Sequence, residues 1–96
     1  MSPLKKEKLS KIRKELDKLD DYLIKIIKKR TNLVKKVLAL KDRKNQIVDQ
    51  KRIRSILSNI RKKSLKNKID PRITNRIWKN MIWSYIDYER RNFKKK

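Results

Sequence analysis

The chain of 96 residues contains no cysteine, no histidine and no glycine. Without cysteine and histidine, disulfide bonds, ordinary zinc sites, thiol nucleophiles and histidine bases are excluded. Without glycine, the phosphate-binding loops of nucleotide-binding folds cannot form. We therefore expect no metal and no cofactor. No apolar stretch reaches membrane-spanning length and no signal peptide opens the chain, which predicts a cytoplasmic protein without a membrane partner.

Acidic residues are also scarce, with 10 against 32 basic ones, so the formal net charge is +22. Such a composition often indicates disorder or nucleic-acid binding. However, 36% of the residues are hydrophobic, and they recur at regular spacing. The 22 lysines are spread along the whole chain beside 13 isoleucines and one alanine, as an A+T-rich genome would produce. The charge attracts anions but does not say which anion.

The apolar spacing predicts an all-α fold of three helices in a single domain over residues 1–96, with a basic tail at about 90–96. Ser2 and Pro3 are typical of a helix start. From Leu9 to Leu40 apolar positions follow gaps of three and four, the heptad pattern, without a proline or glycine. No proline or glycine interrupts this first helix before about Lys44, and its predicted length is roughly 55–60 Å.

Two shorter helices are predicted after a polar loop over residues 42–46. Asp49 is a candidate N-cap of the second helix, which ends near Asn67, and Asp70 followed by Pro71 starts the third. The second is expected to pack through Ile53, Ile56, Leu57 and Ile60. The third is expected to pack through Ile73, Ile77, Trp78, Met81, Ile82, Tyr85 and Ile86.

The long first helix predicts an oligomer. A compact globule of this size has a radius of gyration of roughly 13 Å, so a helix of nearly 60 Å overhangs it. The two shorter helices cannot cover its apolar seam, whereas a second copy can. We therefore predict an intertwined homodimer. An extended coiled coil is the rival, which the apolar stripes of the shorter helices disfavour.

A few charged side chains lie where the helical pattern expects apolar ones. Arg30 falls in the seam of the first helix, where a buried guanidinium is costly unless an anion meets it. Lys41 lies about 16 Å further along nearly the same face, and Arg13 nearer the far end. Glu89 closes the stripe of the third helix and should pair with a cation or hold a proton. With Arg52, these charges predict a pocket for a small ligand with several carboxylates.

Three segments together resemble the all-α (type II) chorismate mutases. They are KIRKELDKLDDYLIKIIKKRTNLVKKVLALK, IVDQKRI and KIDPRITNRIWKNMIWSYIDYE, and they cover most of residues 9–89. The first resembles the family's first-helix signature, in which Arg13, Arg30 and Lys41 match the spacing of its cations. The resemblance implies a dimeric enzyme of aromatic amino-acid biosynthesis, in the shikimate pathway, that rearranges chorismate to prephenate without a cofactor.

The resemblance also implies roles for single residues. Arg30 would hold one substrate carboxylate, Arg13 of the partner subunit would reach the same substrate, and Arg52 would assist at a carboxylate. Lys41 and Glu89 would contact the ether oxygen of the breaking bond. Glu89 stands where many members have glutamine and donates only while protonated, so activity is expected to fall as pH rises.

Other matched positions leave the substrate open. Asp49 matches an aspartate that contacts the substrate hydroxyl. Ile53 stands where many members have a glutamate that binds the ring hydroxyl, and Tyr85 replaces a small hydroxyl residue. Both changes resemble the isochorismate pyruvate lyases of the same fold, which give salicylate and pyruvate. The mutase is the preferred interpretation because that activity is more widespread in the family, and the lyase is the alternative.

A basic helical nucleic-acid-binding protein is a remote alternative. The sequence pI of about 10.7 is typical of such domains. Against it, the basic residues are dispersed around the helices and no known nucleic-acid-binding motif occurs. Trp78, Trp83 and Tyr85 belong to a helix whose apolar stripe is typical of core and not of a base-stacking surface. A nucleic-acid partner is therefore disfavoured.

Overall fold

The computed structural model describes residues 1–94 and contains three α-helices and one short 3₁₀ turn. Helix α1 is Pro3–Ala39, the 3₁₀ turn is Lys44–Gln46, α2 is Gln50–Lys66 and α3 is Pro71–Asn92. No strand occurs among the described residues, and the predicted all-α class is confirmed. Within residues 1–94, no helix is both long and apolar enough to cross a membrane. Lys95 and Lys96 of the predicted basic tail lie outside the described residues.

Two compact units make up the chain, Met1–Leu33 and Val34–Lys96. The first unit consists of the larger part of α1, a helix with no buried residue. Its predicted seam is exposed in the single chain described. Half or more of the side-chain surface is open to solvent at Ile12, Leu16, Leu19, Leu23, Ile26 and Leu33.

Both ends of α1 have partners for their terminal backbone groups. The Ser2 hydroxyl accepts a hydrogen bond from the Lys5 N–H at 3.3 Å, as expected of an N-cap. The helix ends at Ala39, shortly before the polar loop predicted over residues 42–46. The Gln46 side-chain oxygen accepts from the N–H groups of Asp42 and Arg43, both at 2.8 Å. Those donors therefore have partners outside a continuing helix.

The second unit has its core between α2, α3 and the segment that precedes them. Ile47, Ile82 and Ile86 are buried, and Val48, Ile53, Ile56, Leu57 and Phe93 pack against them. The stripe predicted for α2 is thus confirmed at Ile53, Ile56 and Leu57, and its fourth residue, Ile60, is half-buried. On α3, Ile73 and Ile77 remain 56% and 48% exposed, contrary to the prediction. Helical spacing places them on a different side of α3 from Ile82 and Ile86.

The connection between α2 and α3 is tight although the chain has no glycine. Lys68 takes a left-handed backbone with φ of 57°, and Ile69 N–H donates to the Ser64 carbonyl at 2.9 Å, which closes α2 as a Schellman motif. Asp70 caps α3 with Pro71 in its first turn, as predicted. The hydroxyls of Ser64 and Thr74 lie 2.6 Å apart and buried. The two helices are therefore antiparallel neighbours.

Candidate active site

A buried ion pair joins two of the residues that the sequence singled out. The Lys41 ammonium donates to both carboxylate oxygens of Glu89, at 3.2 Å to Oε1 and 3.1 Å to Oε2. Only 19% of the Lys41 side chain and 7% of the Glu89 side chain are exposed. The Ile47 carbonyl lies 3.5 Å from the same ammonium. Two charges 48 residues apart in sequence thus meet in a largely dry environment.

Local structure explains how each partner reaches the pair. Glu89 continues the buried stripe of Ile82 and Ile86 along α3, so the helix itself carries the carboxylate into the interior. Lys41 follows the end of α1, where Leu40 and Lys41 donate to the carbonyls of Val37 and Leu38 in a tightened last turn. The predicted position of Lys41 on the regular helix, three turns beyond Arg30, is therefore wrong.

The pair corresponds to one of the two states expected of a carboxyl group at position 89. Burial of a lone carboxylate is costly, and a cation at hydrogen-bond distance offsets that cost. In the described conformation Glu89 accepts hydrogen bonds from Lys41. The sequence reasoning missed the Ile47 carbonyl, because a backbone acceptor leaves no mark in the residue types.

Asp49 and Arg52 lie together at the start of α2. The Asp49 carboxylate accepts from the Arg52 backbone N–H at 3.0 Å, so it is the N-cap that the sequence predicted. Both residues are exposed. With Lys51 and Ser55 they line a shallow depression of about 260 Å³. The guanidinium of Arg52 is therefore open to an anionic ligand at this end of the helix.

Ile53 and Tyr85 add apolar surface to the second unit. Ile53 is half-buried against the core of Ile47, Ile82 and Ile86. Tyr85 is half-buried one turn before Glu89 on α3. The side chain at position 53 has no hydrogen-bonding group to offer a ligand.

In the first unit, Arg30 and Arg13 differ in exposure. Arg30 is half-buried, and its Nε is buried without a hydrogen-bond partner among the described residues. A buried guanidinium nitrogen without an acceptor is unusual, because such a donor loses the free energy of its hydrogen bonds to water. Arg13 is exposed. Residues 1–94 contain no group of three or more acidic, histidine or cysteine side chains able to hold a metal.

Comparisons with known proteins identify the family of the chain. Residues 12–90 match the family model for chorismate mutase type II. The chain belongs to this family. It is also 34% identical over 77 residues to a chorismate mutase of Methanocaldococcus jannaschii, a match covering 79% of this chain and 78% of that protein. No solved structure matches the chain significantly.

The family assignment confirms the interpretation drawn from the first-helix signature. The matched range contains each of the residues proposed for the site, from Arg13 to Glu89. Both matches carry the name of the mutase, and neither names an isochorismate pyruvate lyase. The mutase interpretation is therefore favoured over the lyase.

Proposed function

We propose that this chorismate mutase family chain rearranges chorismate to prephenate at a site built around Lys41 and Glu89. The observation that carries the proposal is the buried ion pair, with 3.1 Å between the Lys41 ammonium and the nearer Glu89 oxygen. It brings a cation and a carboxyl group together in the protein interior, where electrostatic interactions are strong.

The reaction requires only correctly placed and charged side chains. The rearrangement is intramolecular: one carbon–oxygen bond of the ether breaks as one carbon–carbon bond forms. No nucleophile and no proton transfer are required. Holding the substrate in its reactive conformer is worth several kcal/mol. Fixed donors aimed at the ether oxygen further stabilise the negative charge that grows there in the transition state.

We assign the ether oxygen to Lys41 and Glu89. The Lys41 ammonium has three donors, and in the described conformation they face two Glu89 oxygens and the Ile47 carbonyl. Donation to the substrate therefore requires one of these contacts to be exchanged for the ether oxygen. Glu89 itself donates to that oxygen only when it carries a proton.

The carboxylates of the substrate are assigned to arginines. Arg30 binds one of them, an assignment supported by its buried Nε without a partner among the described residues. Arg13 of the partner subunit and Arg52 assist. Guanidinium groups suit this task because they bind carboxylates through two parallel hydrogen bonds.

The remaining contacts are assigned to three residues of the second unit. Asp49 contacts the substrate hydroxyl, while Ile53 and Tyr85 shape the apolar wall around the ring. Ile53 cannot grip a ring hydroxyl as a glutamate would. We infer that recognition in this chain depends more on the two carboxylates than on the hydroxyl.

We propose that the protein is a homodimer in the cytoplasm. Residues 1–96 of each subunit form one folded domain in this proposal. Its support is the row of half-exposed leucines and isoleucines along α1. Such a continuous apolar row is typical of a surface that another protein covers. The cytoplasm is the ordinary location of aromatic amino-acid biosynthesis, to which the family's reaction belongs.

The test is a comparison of Arg30→Ala with Lys29→Ala in the purified protein. Loss of chorismate absorbance is measured together with identification of prephenate, and circular dichroism checks the fold. We expect Arg30→Ala to lose at least about 100-fold in kcat/KM with unchanged helicity, since it removes a charged contact to the substrate. Lys29 is exposed and neighbouring, so its replacement should change kcat/KM less than about threefold.

Full activity of Arg30→Ala would remove Arg30 from the site. Isochorismate supplied in the same assay tests the lyase. Salicylate and pyruvate formed faster than prephenate forms from chorismate would overturn the mutase assignment.

A further inference from the structure

Trp83 on α3 is 46% exposed in the described chain. The sequence interpretation assigned it to a helix whose apolar stripe is typical of core and not of a base-stacking surface, but did not count it among the packing residues. Trp78 and Tyr85 on the same helix are half-buried, as a core stripe requires. An exposed tryptophan offers a large flat surface that the described chain leaves uncovered.

Cations surround Trp83 on its own side of α3. Arg76, Lys79 and Arg90 lie seven residues before, four before and seven after it, so helical spacing places all of them on one face. None of the three forms an ion pair with a described residue. Asp87, the nearest acid on this helix, is bound by Arg91 at 2.9 Å. The positive charge beside Trp83 is therefore not neutralised by the protein.

Helix α2 contributes further cations beside a pocket that it shares with α3. A shallow pocket of about 350 Å³ is lined by Leu57, Ser58 and Arg61 of α2 and by Pro71 and Asn75 of α3. The same side of α2 carries Arg54, seven residues before Arg61. We define the outer basic face as the surface formed by Trp83 and five cations, Arg54, Arg61, Arg76, Lys79 and Arg90. The pocket adds hydroxyl and amide groups between its two helices.

The residue types on the outer basic face differ from those of the whole chain. Four of its five cations are arginine, whereas the sequence has 22 lysines and 10 arginines. A general lysine excess therefore does not account for it. Guanidinium groups bind phosphate through two hydrogen bonds and stack on bases, which ammonium groups do not.

We propose that the outer basic face binds single-stranded nucleic acid, a function separate from chorismate rearrangement. The arginines contact backbone phosphates, and Trp83 stacks on a base. This pairing of a cationic surface with an aromatic platform is how single strands are bound without sequence preference. An anionic membrane is the less fitting partner, because Trp83 is the single large apolar side chain within the defined face.

The experiment measures binding of a fluorescent 20-nucleotide single strand, as RNA and as DNA, by anisotropy over a series of salt concentrations. The face variant is Arg54→Gln/Arg61→Gln/Arg76→Gln. The control, Lys5→Gln/Lys8→Gln/Lys18→Gln, removes the same charge from exposed positions of α1. The third variant is Trp83→Ala. Chorismate turnover of each variant is measured in parallel, and no substituted residue belongs to the proposed active site.

We expect the face variant to bind at least about tenfold more weakly and with a shallower salt dependence, since fewer phosphates are neutralised. Trp83→Ala should weaken binding about tenfold through lost stacking. The control should change affinity less than about threefold, and turnover should be unchanged in all three. Equal weakening by the face and control variants would overturn the proposal in favour of general charge attraction. Tighter binding to anionic vesicles than to either strand, or no saturable binding, would overturn it as well.

Discussion

At the scale of single residues, the two contacts proposed for Glu89 require different forms of its carboxyl group. The carboxylate form binds Lys41, at 3.1 Å in the described conformation. The protonated form alone donates to an ether oxygen.

Glu89→Gln tests this role at a fixed pH. A glutamine amide contacts Lys41 through its oxygen and donates through its nitrogen. We expect kcat/KM of Glu89→Gln to stay within about tenfold of that of the unchanged protein, because the amide keeps both contacts. The measurement is kcat/KM for chorismate at pH 7, with circular dichroism as the check on folding. A loss of about 100-fold or more with unchanged helicity would contradict the assigned donor role.

Most of the residue-scale account was available from the sequence, because wrong-polarity positions in an apolar stripe identified Arg30 and Glu89. The contact of Lys41 with Glu89 was not available. It depends on where α1 ends, and that end depends on the Gln46 side chain bonding the N–H groups of Asp42 and Arg43. A side chain four residues away leaves no periodic signal.

At the scale of elements, α3 depends on the residue that starts it. The Asp70 carboxylate accepts hydrogen bonds from the guanidinium and from the backbone N–H of Arg72. The shorter guanidinium contact is 3.1 Å, and the backbone contact is 2.9 Å. These hydrogen bonds, the side-chain one first, hold the pKa of Asp70 below its ordinary value. The folded state therefore favours the ionised form of this side chain.

Asp70→Asn tests that linkage. With a lower pKa in the folded than in the unfolded state, Asp70 stabilises the fold above the unfolded pKa, and this contribution disappears as pH falls through the folded pKa. We expect the variant to have a lower Tm than the unchanged protein at pH 7 and a difference that shrinks toward about pH 2. Asp87→Asn, which removes an exposed charge without a cap, is the control. A Tm difference independent of pH would contradict the linkage.

Element positions were largely predictable, since capping residues and the heptad pattern act locally. The caps at Asp49 and Asp70 are both where the sequence put them. The sides of α3 were less predictable. Ile73 and Ile77 are apolar residues at helical spacing, as are Ile82 and Ile86. Which of these two pairs is covered depends on the packing partners of α3 and not on its own sequence.

At the scale of the whole molecule, the apolar row of α1 is the feature that one copy leaves exposed. Leu16 and Leu23 are 53% and 54% exposed in the described chain. A fully buried leucine contributes about 1.5–3 kcal/mol, and a symmetric dimer counts each position twice. A dimer along α1 would therefore be strongly stabilised by this row.

Leu16→Glu should convert the protein to monomers and abolish chorismate turnover, because a carboxylate would be buried twice in the interface. The control is Lys18→Glu, which adds a carboxylate on the opposite side of the helix. Sedimentation velocity gives the mass of each variant. A monomeric unchanged protein with full activity would contradict the dimer, as would a dimeric Leu16→Glu.

The most direct measurement combines Arg13→Ala and Arg30→Ala in one preparation. Each variant alone should lose chorismate turnover, because every site then lacks one arginine. When the two are unfolded together and refolded as a mixture, mixed dimers should contain one complete site, restoring about one quarter of the unchanged activity. If the mixture stays as inactive as its components, Arg13 and Arg30 from different subunits do not share a site, and the proposed active site is wrong.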